Sequence, residues 1–433
     1  MEQGNRLSAS GLFRTIQAGF TRIKDSRAAN ASIKLVDALM SGFAMFSLKD
    51  SSLLEFDERR AKGGNLKQIY GIEKIPSDTR MREILDEVEP GELRPVFKTL
   101  LEELEDEGML KKYLFLGKYY LVPLDGTGYF SSKQVHCGGC LERQKSTTGE
   151  VTYAHQMLSG AIVHPDLDEV IPLAPEPIVK QDGSTKNDCE RNAAKRFVEK
   201  LRKDHPDLPI IITEDALSAN APHIDVLKEN NLHFILGVKP GDHAFLFEYV
   251  EQARQRGEMT DDEYQVNRVI HRFQFLNNVP LNASNAGVRV NVIEYWEIDG
   301  DKCQHFTWIT DLWVTKDNVF EIMRGGRARW KIENETFNTL KNQGYHFEHN
   351  YGHGQQNLSV VLAFLMMLAF LVDQIQQLAC GLFQAVLKKQ GSRKRLWEHT
   401  RALFYSLEFA LMEDIFRALL FGYRVTGVVI LNP

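Results

Sequence analysis

The sequence predicts an α/β protein: a mixed sheet flanked by helices, with helical chain before and after it. Three observations carry that prediction. Two apolar, strand-like runs, Tyr119–Leu124 and Pro209–Ile212, each lead into an aspartate. Segments with apolar residues at helical intervals alternate with further strand-like runs between about 113 and 238, as expected for a sheet with helices packed on it. The chain before about 110 and after about 345 shows helical spacing almost throughout.

Taken in order, residues 1 to about 110 form the first helical region. Ile33–Leu48 and Pro95–Glu107 have helical periodicity, Pro95 suits a first turn, and Ile75-Pro76-Ser77-Asp78 supplies a turn and a cap. Residues 1–34 carry Arg6, Arg14, Arg22, Lys24, Arg27 and Lys34 against Glu2 and Asp25; this excess is either a solvated face or a DNA-contacting arm. From about 113 the texture changes. Tyr119–Asp125 reads as a strand entering a turn at Gly126-Thr127-Gly128, and Tyr153–Val163 and Glu169–Leu173 read as two more strands. Thr185–His205 is a helix, Pro209–Asp215 a buried strand, Ala221–Asn231 a helix and His233–Val238 a strand. Residues 260–315 are strand-rich again, including Val288–Ile298 and Phe306–Thr310. Asp317–Leu340 returns to helix, and helices continue to the end, with Lys388, Lys389, Arg393, Lys394 and Arg395 clustered beside Trp397. The resulting division is a helical N-terminal domain (1–110), a core in two parts (111–258 and 317–345), a β-rich insertion (259–316) and a C-terminal helical region (346–433).

Composition narrows the functional classes. The 433 residues suffice for roughly three domains. With 52 basic against 58 acidic residues the net charge is −6, which excludes a protein that coats nucleic acid indiscriminately but allows local basic surfaces. Five scattered cysteines argue for a reducing compartment without a disulfide framework. Met1–Ser10 is polar and lacks the apolar core of a secretory signal. The longest apolar run, Leu358–Val372, closes at Asp373, short of the ~20 residues of a bilayer span, and reads as a buried helix. A cytoplasmic protein with no membrane partner is expected.

The chemistry resides in three acids. Asp125 and Asp215 each close an apolar strand-like run, and strand ends are where active sites gather in open sheets with parallel strands. Alone, either acid is more often a cap or turn former. The stretch Arg329-Trp330-Lys331-Ile332-Glu333-Asn334-Glu335-Thr336-Phe337 adds a third carboxylate on a helix, with Arg329, Glu333 and Phe337 at successive four-residue steps along one edge. Three carboxylates on separate elements suit a pair of hard divalent cations, which would activate a water or a 3′-hydroxyl and steady the leaving oxygen in phosphodiester chemistry. Arg329 and Lys341 would supply cations for phosphates. Glu335, on the same helix, is a rival for the third acid.

With these residues in place the chain resembles insertion-sequence transposases of the DDE class, and more narrowly the branch whose third acid lies in a tyrosine–arginine–glutamate–lysine helix signature. The resemblance runs from about 30 to 375. It rests on Leu124-Asp125-Gly126, Glu214-Asp215-Ala216-Leu217, Val238-Lys239, Trp308-Ile309-Thr310-Asp311-Leu312, Arg329-Trp330-Lys331-Ile332-Glu333 and the segment from Asn342 to Gly354. It implies a ribonuclease-H-like fold with a β-rich insertion before the glutamate helix. It also implies a catalytic, metal-binding triad of Asp125, Asp215 and Glu333, two Mg²⁺ ions for which Mn²⁺ can substitute, and Arg329 as the signature arginine. The implied partners are double-stranded DNA with terminal inverted repeats, target DNA and a second copy of the chain, because two ends must be held at once. The pattern departs at two positions: Gly326 stands where the signature has tyrosine, and Lys341 lies one residue beyond the signature lysine, whose place Leu340 takes.

Four further features have two readings each. Lys239, just past a strand, would face DNA phosphate or solvent. Trp296 and Trp308 in the insertion would hold an unpaired end base, as the resemblance implies, or pack among β-branched residues. Cys137-Gly138-Gly139-Cys140 is half of a tetrahedral zinc site that His155 or His164 would complete, or a loop thiol pair, which the absence of a second cysteine pair favours. His349 and His353, four apart, would share a helix face or, as Gly352 and Gly354 beside them favour, lie in a loop that contacts phosphate or solvent. Two other functions stay open. One is a transposase-derived DNA-binding protein without catalysis, which Gly326 favours and the three acids oppose. The other is a ribonuclease-H-like nuclease or resolvase that cuts without joining.

Overall fold

The computed structural model describes residues 6–28, 30–60, 64–180 and 187–424. In chain order the N-terminal helices are α1 (Ala9–Thr21), α2 (Leu35–Ser47), α3 (Leu53–Arg59), α4 (Gly64–Tyr70), α5 (Asp78–Asp86) and α6 (Arg94–Asp106). The expected caps are present: the Ser77 hydroxyl accepts from the Arg80 amide at the start of α5, and Pro95 sits in the first turn of α6. Next come β1 (Tyr120–Ser132), β2 (Leu141–Gln144), β3 (Val151–Ile162), β4 (Ile171–Pro172), β5 (Glu176–Ile178), α7 (Glu190–Asp204), β6 (Ile210–Glu214), α8 (Ala221–Glu229), β7 (His233–Gly237) and α9 (Ala244–Gln255). Four strands follow: β8 (Thr260–Val266), β9 (Val269–Pro280), β10 (Arg289–Asp299) and β11 (Lys302–Thr310). Helices α10 (Val319–Arg327), α11 (Asn338–Asn342), α12 (Leu358–Ala379), α13 (Gly381–Gln390), α14 (Arg393–Phe404) and α15 (Met412–Phe421) complete the chain. The first residues of the expected helix at Thr185–His205 lie outside the described residues.

Three local expectations change. The glycines at 126 and 128 form no turn; β1 runs straight through them to Ser132. The expected helix 317–340 is broken. Ala328 caps α10, and Ile332–Phe337 is π-helical before α11. Helix α9, which sequence reading passed over, buries Leu246, Val250 and Ala253, an i, i+4, i+7 stripe.

The chain divides into two compact units. One comprises Lys111–Thr127 and Gln156–Phe337 and contains a mixed sheet. β1, β6 and β7 lie parallel and adjacent, β11, β10, β9 and β8 extend the sheet antiparallel from β7, and β3 neighbours β1 and carries β4 and β5. Helices α7, α8, α9 and α10 flank it. This mixed sheet flanked by helices is the α/β arrangement the sequence led us to expect, and its parallel strands are apolar on both faces, as Ile210–Ile212 and Phe234–Leu236 show. The motif Trp308–Leu312 proves to be the seam that joins the four-strand extension to the core: Trp308, Ile309 and Thr310 pair with Gly237, Leu236 and Ile235. The Asp311 carboxylate takes the Phe234 amide at 3.0 Å and the His233 ring at 2.8 Å.

The other unit comprises Met1–Leu110, Gly128–His155 and Asn338–Pro433, and is mostly helical. Its centre is α12, packed on α2, α5 and α13. That helix is long and apolar enough to cross a membrane, yet 94% of its apolar window is buried within the protein. It continues past Asp373, which forms a buried ion pair with Lys49 at 2.7 Å and accepts from the Tyr345 hydroxyl. The start of α12 is capped from a distance: the Asp86 carboxylate accepts from the amides of Gln355, Gln356, Asn357 and Leu358 at 2.8–3.0 Å.

Candidate active site

The acids assemble where β6 ends beside β1, which itself runs on past Asp125. β1 pairs with β6 in the register Tyr120↔Ile210 to Pro123↔Thr213, and continuing that offset sets Asp215 level with Asp125. The pairing ends at Pro123↔Thr213, two residues before each acid, and Asp215 opens the turn that follows β6; Glu190 links the two, since the Asp215 charge acts on Glu190 and the Glu190 charge acts on Asp125. Alternation sends Glu214 the other way. It is buried, bonded to the His223 ring at 2.5 Å and the Ser218 hydroxyl at 2.9 Å, and so anchors the strand end from below. Asp215 itself is exposed and accepts from the Leu217 amide at 2.9 Å, the capping role open to a lone acid there.

A fourth carboxylate, Glu190, joins the cluster from the first turn of α7. It accepts from the Gly126 amide at 3.0 Å. Here Gly126 serves close approach rather than a turn: a Cβ at 126 would lie 2.7 Å from the Glu190 carboxyl group. Sequence reading missed Glu190; its signals were an acid at a helix start and a glycine next to Asp125 inside a strand.

Glu333 comes from the π-helical turn. Such turns are rare and frequent at functional sites, because one extra residue in the turn re-aims neighbouring side chains. Arg329 bridges it to the sheet. Its Nη1 is 3.0 Å from Glu333 Oε1 and 4.0 Å from Asp125 Oδ2, so the sum of those distances caps the separation of the two carboxylates. The guanidinium also lies over the ring of Trp330, 5.0 Å from its centroid. Trp330 is about half exposed, the most accessible aromatic ring bonded into this cluster, and sequence reading had not singled it out. Glu335, the rival acid, is half-buried on the same turn.

Electrostatics mark Asp125 as the most perturbed member. Burial pushes its carboxyl up to about 7, and the charges of Glu190 and Glu333 push the same way, while Arg329 and the Gly126 amide oppose them. Glu190 is also raised, first by burial, with the charges of Asp215 and Glu214 adding to it against the Gly126 hydrogen bond. Asp125 and Glu333 share one arginine, and Glu190 and the Asp215 charge beside it add further acid to the cluster, an arrangement suited to cations. The acids do not yet close to a single coordination sphere. Among the described residues the ligand atoms lying within 4.8 Å of one another belong to a different set, Cys137, Cys140, His155 and His353.

The remaining sequence candidates divide. Trp308 is 7% exposed and packs against Phe306 and Tyr295, with ring centroids 5.7 and 6.4 Å away. It also fills the space over Gly326, where a Cβ would sit 2.7 Å from the indole nitrogen. A side chain at 326 would therefore have to displace this indole. Trp296 stacks on His305 at 4.6 Å and is half-buried. Lys239 is exposed beyond β7. Lys341 falls in the helical unit, where it pairs with Glu348 at 2.9 Å.

Residues 174–371 match the family described as "Transposase DDE domain". The matched stretch contains Asp215 and Glu333 and begins after Asp125. It supports a transposase-type function of the DDE kind. No curated protein matches the chain. Among solved structures, the NurA nuclease from Sulfolobus solfataricus is similar over 60% of this chain and 99% of that one, at 10% identity and a TM-score of 0.25.

Proposed function

We propose that this chain is the DNA transposase of an insertion sequence, of the branch with the arginine–glutamate helix signature. It would bind the terminal inverted repeats of its element, cut the phosphodiester there and join the freed 3′-hydroxyl to target DNA. The observation that supports this reading is an acid cluster within one unit of the protein: Asp125 on β1 and Glu333 on the π-helical turn, both beside Arg329, with Asp215 in the turn after β6, the strand paired with β1.

The donor set fits the implied metal: hard carboxylate oxygens, partly desolvated, with excess negative charge. Asp125, Asp215 and Glu333 would hold Mg²⁺, or Mn²⁺ in its place, as two ions that supply Lewis acidity to the attacking and leaving oxygens. The protein's own part is positioning and charge. Asp125 lies on β1 and Asp215 in the turn after its partner β6, and Glu190 braces the Gly126 backbone. Arg329, held by Glu333 and Trp330, presents a fork suited to two phosphate oxygens. Trp330 is placed to stack an unpaired base, a role better suited to it than to the packed Trp308. Lys239 is free to meet backbone phosphate. Glu333 is preferred to Glu335 as the third ligand because it shares Arg329 with Asp125, at 3.0 and 4.0 Å from the same guanidinium nitrogen. The working form would be a homodimer in the cytoplasm, since two ends must be paired.

The test is a strand-transfer assay with a pre-cleaved end, target plasmid and Mg²⁺ or Mn²⁺. Joined product supports the proposal. Cleavage without joining would reassign the protein as a nuclease or resolvase, and shifted but unreacted DNA as a binding protein. In Asp125→Asn, Asp215→Asn and Glu333→Gln, cleavage should vanish while DNA binding persists, because metal ligation needs the charges and phosphate contacts do not.

A further inference from the structure

Away from the acids, in the helical unit, Cys137, Cys140, His155 and His353 bring their ligand atoms within 4.8 Å of one another. Cys137 and Cys140 flank the two-glycine loop before β2, His155 lies on β3, and His353 comes from the loop before α12, 213 residues beyond Cys140. Cys140 and His155 are each 1% exposed and His353 is 8% exposed. The Cys137 and Cys140 sulfurs are 4.0 Å apart. His155 Nε2 is 3.3 Å from one and 3.5 Å from the other, and His353 Nε2 is 3.1 Å from Cys140 Sγ.

A zinc tetrahedron with bonds of about 2.3 Å to sulfur and about 2.05 Å to nitrogen has S–S edges of about 3.8 Å and S–N edges of about 3.5 Å. The observed spacings fit those edges. They do not fit a disulfide, whose sulfurs stand about 2.05 Å apart. Nor is the set a good hydrogen-bond network, since thiols are weak donors and acceptors and four such groups converge on one point. Both imidazoles aim Nε2 inward. The ring of Phe130 covers His353 at 4.4 Å and that of Tyr129 covers His155 at 5.8 Å, closing the site to water. The Cys137 amide donates to Cys140 Sγ at 3.4 Å, an outer contact that orients a metal-bound thiolate.

We infer that these four residues form a structural zinc site that clamps the Cys137–His155 segment to the loop preceding α12. Soft sulfur and imidazole ligands select Zn²⁺ over the hard cations suited to the carboxylates. Two thiolates balance the dication, so the buried site carries no net charge. Four protein ligands leave no open position, which makes the ion a staple rather than a catalyst. His353 replaces the thiol-pair reading of the loop with a complete site; His164 belongs to the other unit, 3.7 Å from Asp166.

The test uses the full-length protein purified without added metal, and is independent of any transposition assay. The expected result is about one zinc per chain by elemental analysis, and thiolate-to-metal charge-transfer absorption after Co²⁺ exchange. Cys140→Ser and His353→Ala should lose both signals. His353→Cys should keep them, as a three-cysteine, one-histidine set still ligates zinc, and Cys303→Ser, at an exposed thiol outside the cluster, should be unchanged. If His353→Ala fails to fold, the Cys303→Ser and His353→Cys proteins still decide the matter. Folded protein with no zinc, no cobalt charge-transfer band and a melting temperature indifferent to a strong chelator would overturn the inference.

Discussion

Removing the charge of Asp125 should stabilise the metal-free protein, and by an amount the structure lets us work out. The carboxyl is raised from 3.8 to about 7 by burial and by the charges of Glu190 and Glu333. A group whose folded-state value is raised contributes its full stability below the unfolded value, near pH 4, and loses it as pH climbs through about 7. At about 1.4 kcal/mol per unit the whole shift amounts to about 4 kcal/mol. A quarter of the side chain faces solvent, so half of that, about 2 kcal/mol, is the working figure. Asp125→Asn keeps the shape and removes the charge. At pH 8 without divalent metal it should raise the melting temperature by about 4–8 °C, taking about 2–4 °C per kcal/mol for a unit of this size. The gain should shrink towards pH 4, where the folded-state carboxylate is protonated and the unfolded one is partly so. Calorimetry at pH 4, 6 and 8 in chelator reads this directly. An Asp125→Asn protein melting at or below wild type at pH 8 would refute the argument that the acid cluster is held under charge strain. The same substitution should abolish cleavage, so the site trades stability for function.

Further outcomes follow from single contacts. Gly326→Ala should cost about 1–3 kcal/mol, because its Cβ meets the Trp308 indole at 2.7 Å; combining it with Trp308→Phe should recover part of that loss in denaturant titrations. Asp373→Ala should destabilise by about 3–5 kcal/mol by leaving Lys49 buried and unpaired, whereas the double change Lys49→Met with Asp373→Leu should cost far less. Glu190→Gln should leave DNA binding intact and alter the pH profile of cleavage, since Glu190 is the largest charge acting on Asp125; an unchanged profile would exclude it from the site. Trp330→Ala should weaken binding to DNA ends with unpaired bases more than to fully paired ends, measured by fluorescence anisotropy, with equal losses counting against stacking.

Several structural expectations were legible because they depend on local pattern. Helical periodicity located α2, α6, α7 and α8, and the apolar runs located β6 and β7 to within a few residues and the start, though not the end, of β1. The short runs of acid after strand singled out Asp125 and Asp215, on β1 and in the turn after its partner β6. Other features depended on what residues far apart in sequence do to each other. The glycines after Asp125 look like a turn until Glu190 of α7 is seen to occupy the space a side chain would need. Nothing beside Gly326 in the sequence shows that Trp308 packs on it. The π-helical turn that aims Glu333 has no reliable local signature.

By itself the sequence determined the strands, the helices and the chemical identity of the acids, because hydrophobic periodicity and side-chain chemistry are properties of neighbouring residues. Only the tertiary structure decided that Glu190 joins those acids and that Trp308 is buried. It also decided that His353 meets Cys140 across 213 residues of chain, and Cys137 and His155 with it. Such contacts are set by how whole elements pack, and no window of the sequence contains both partners.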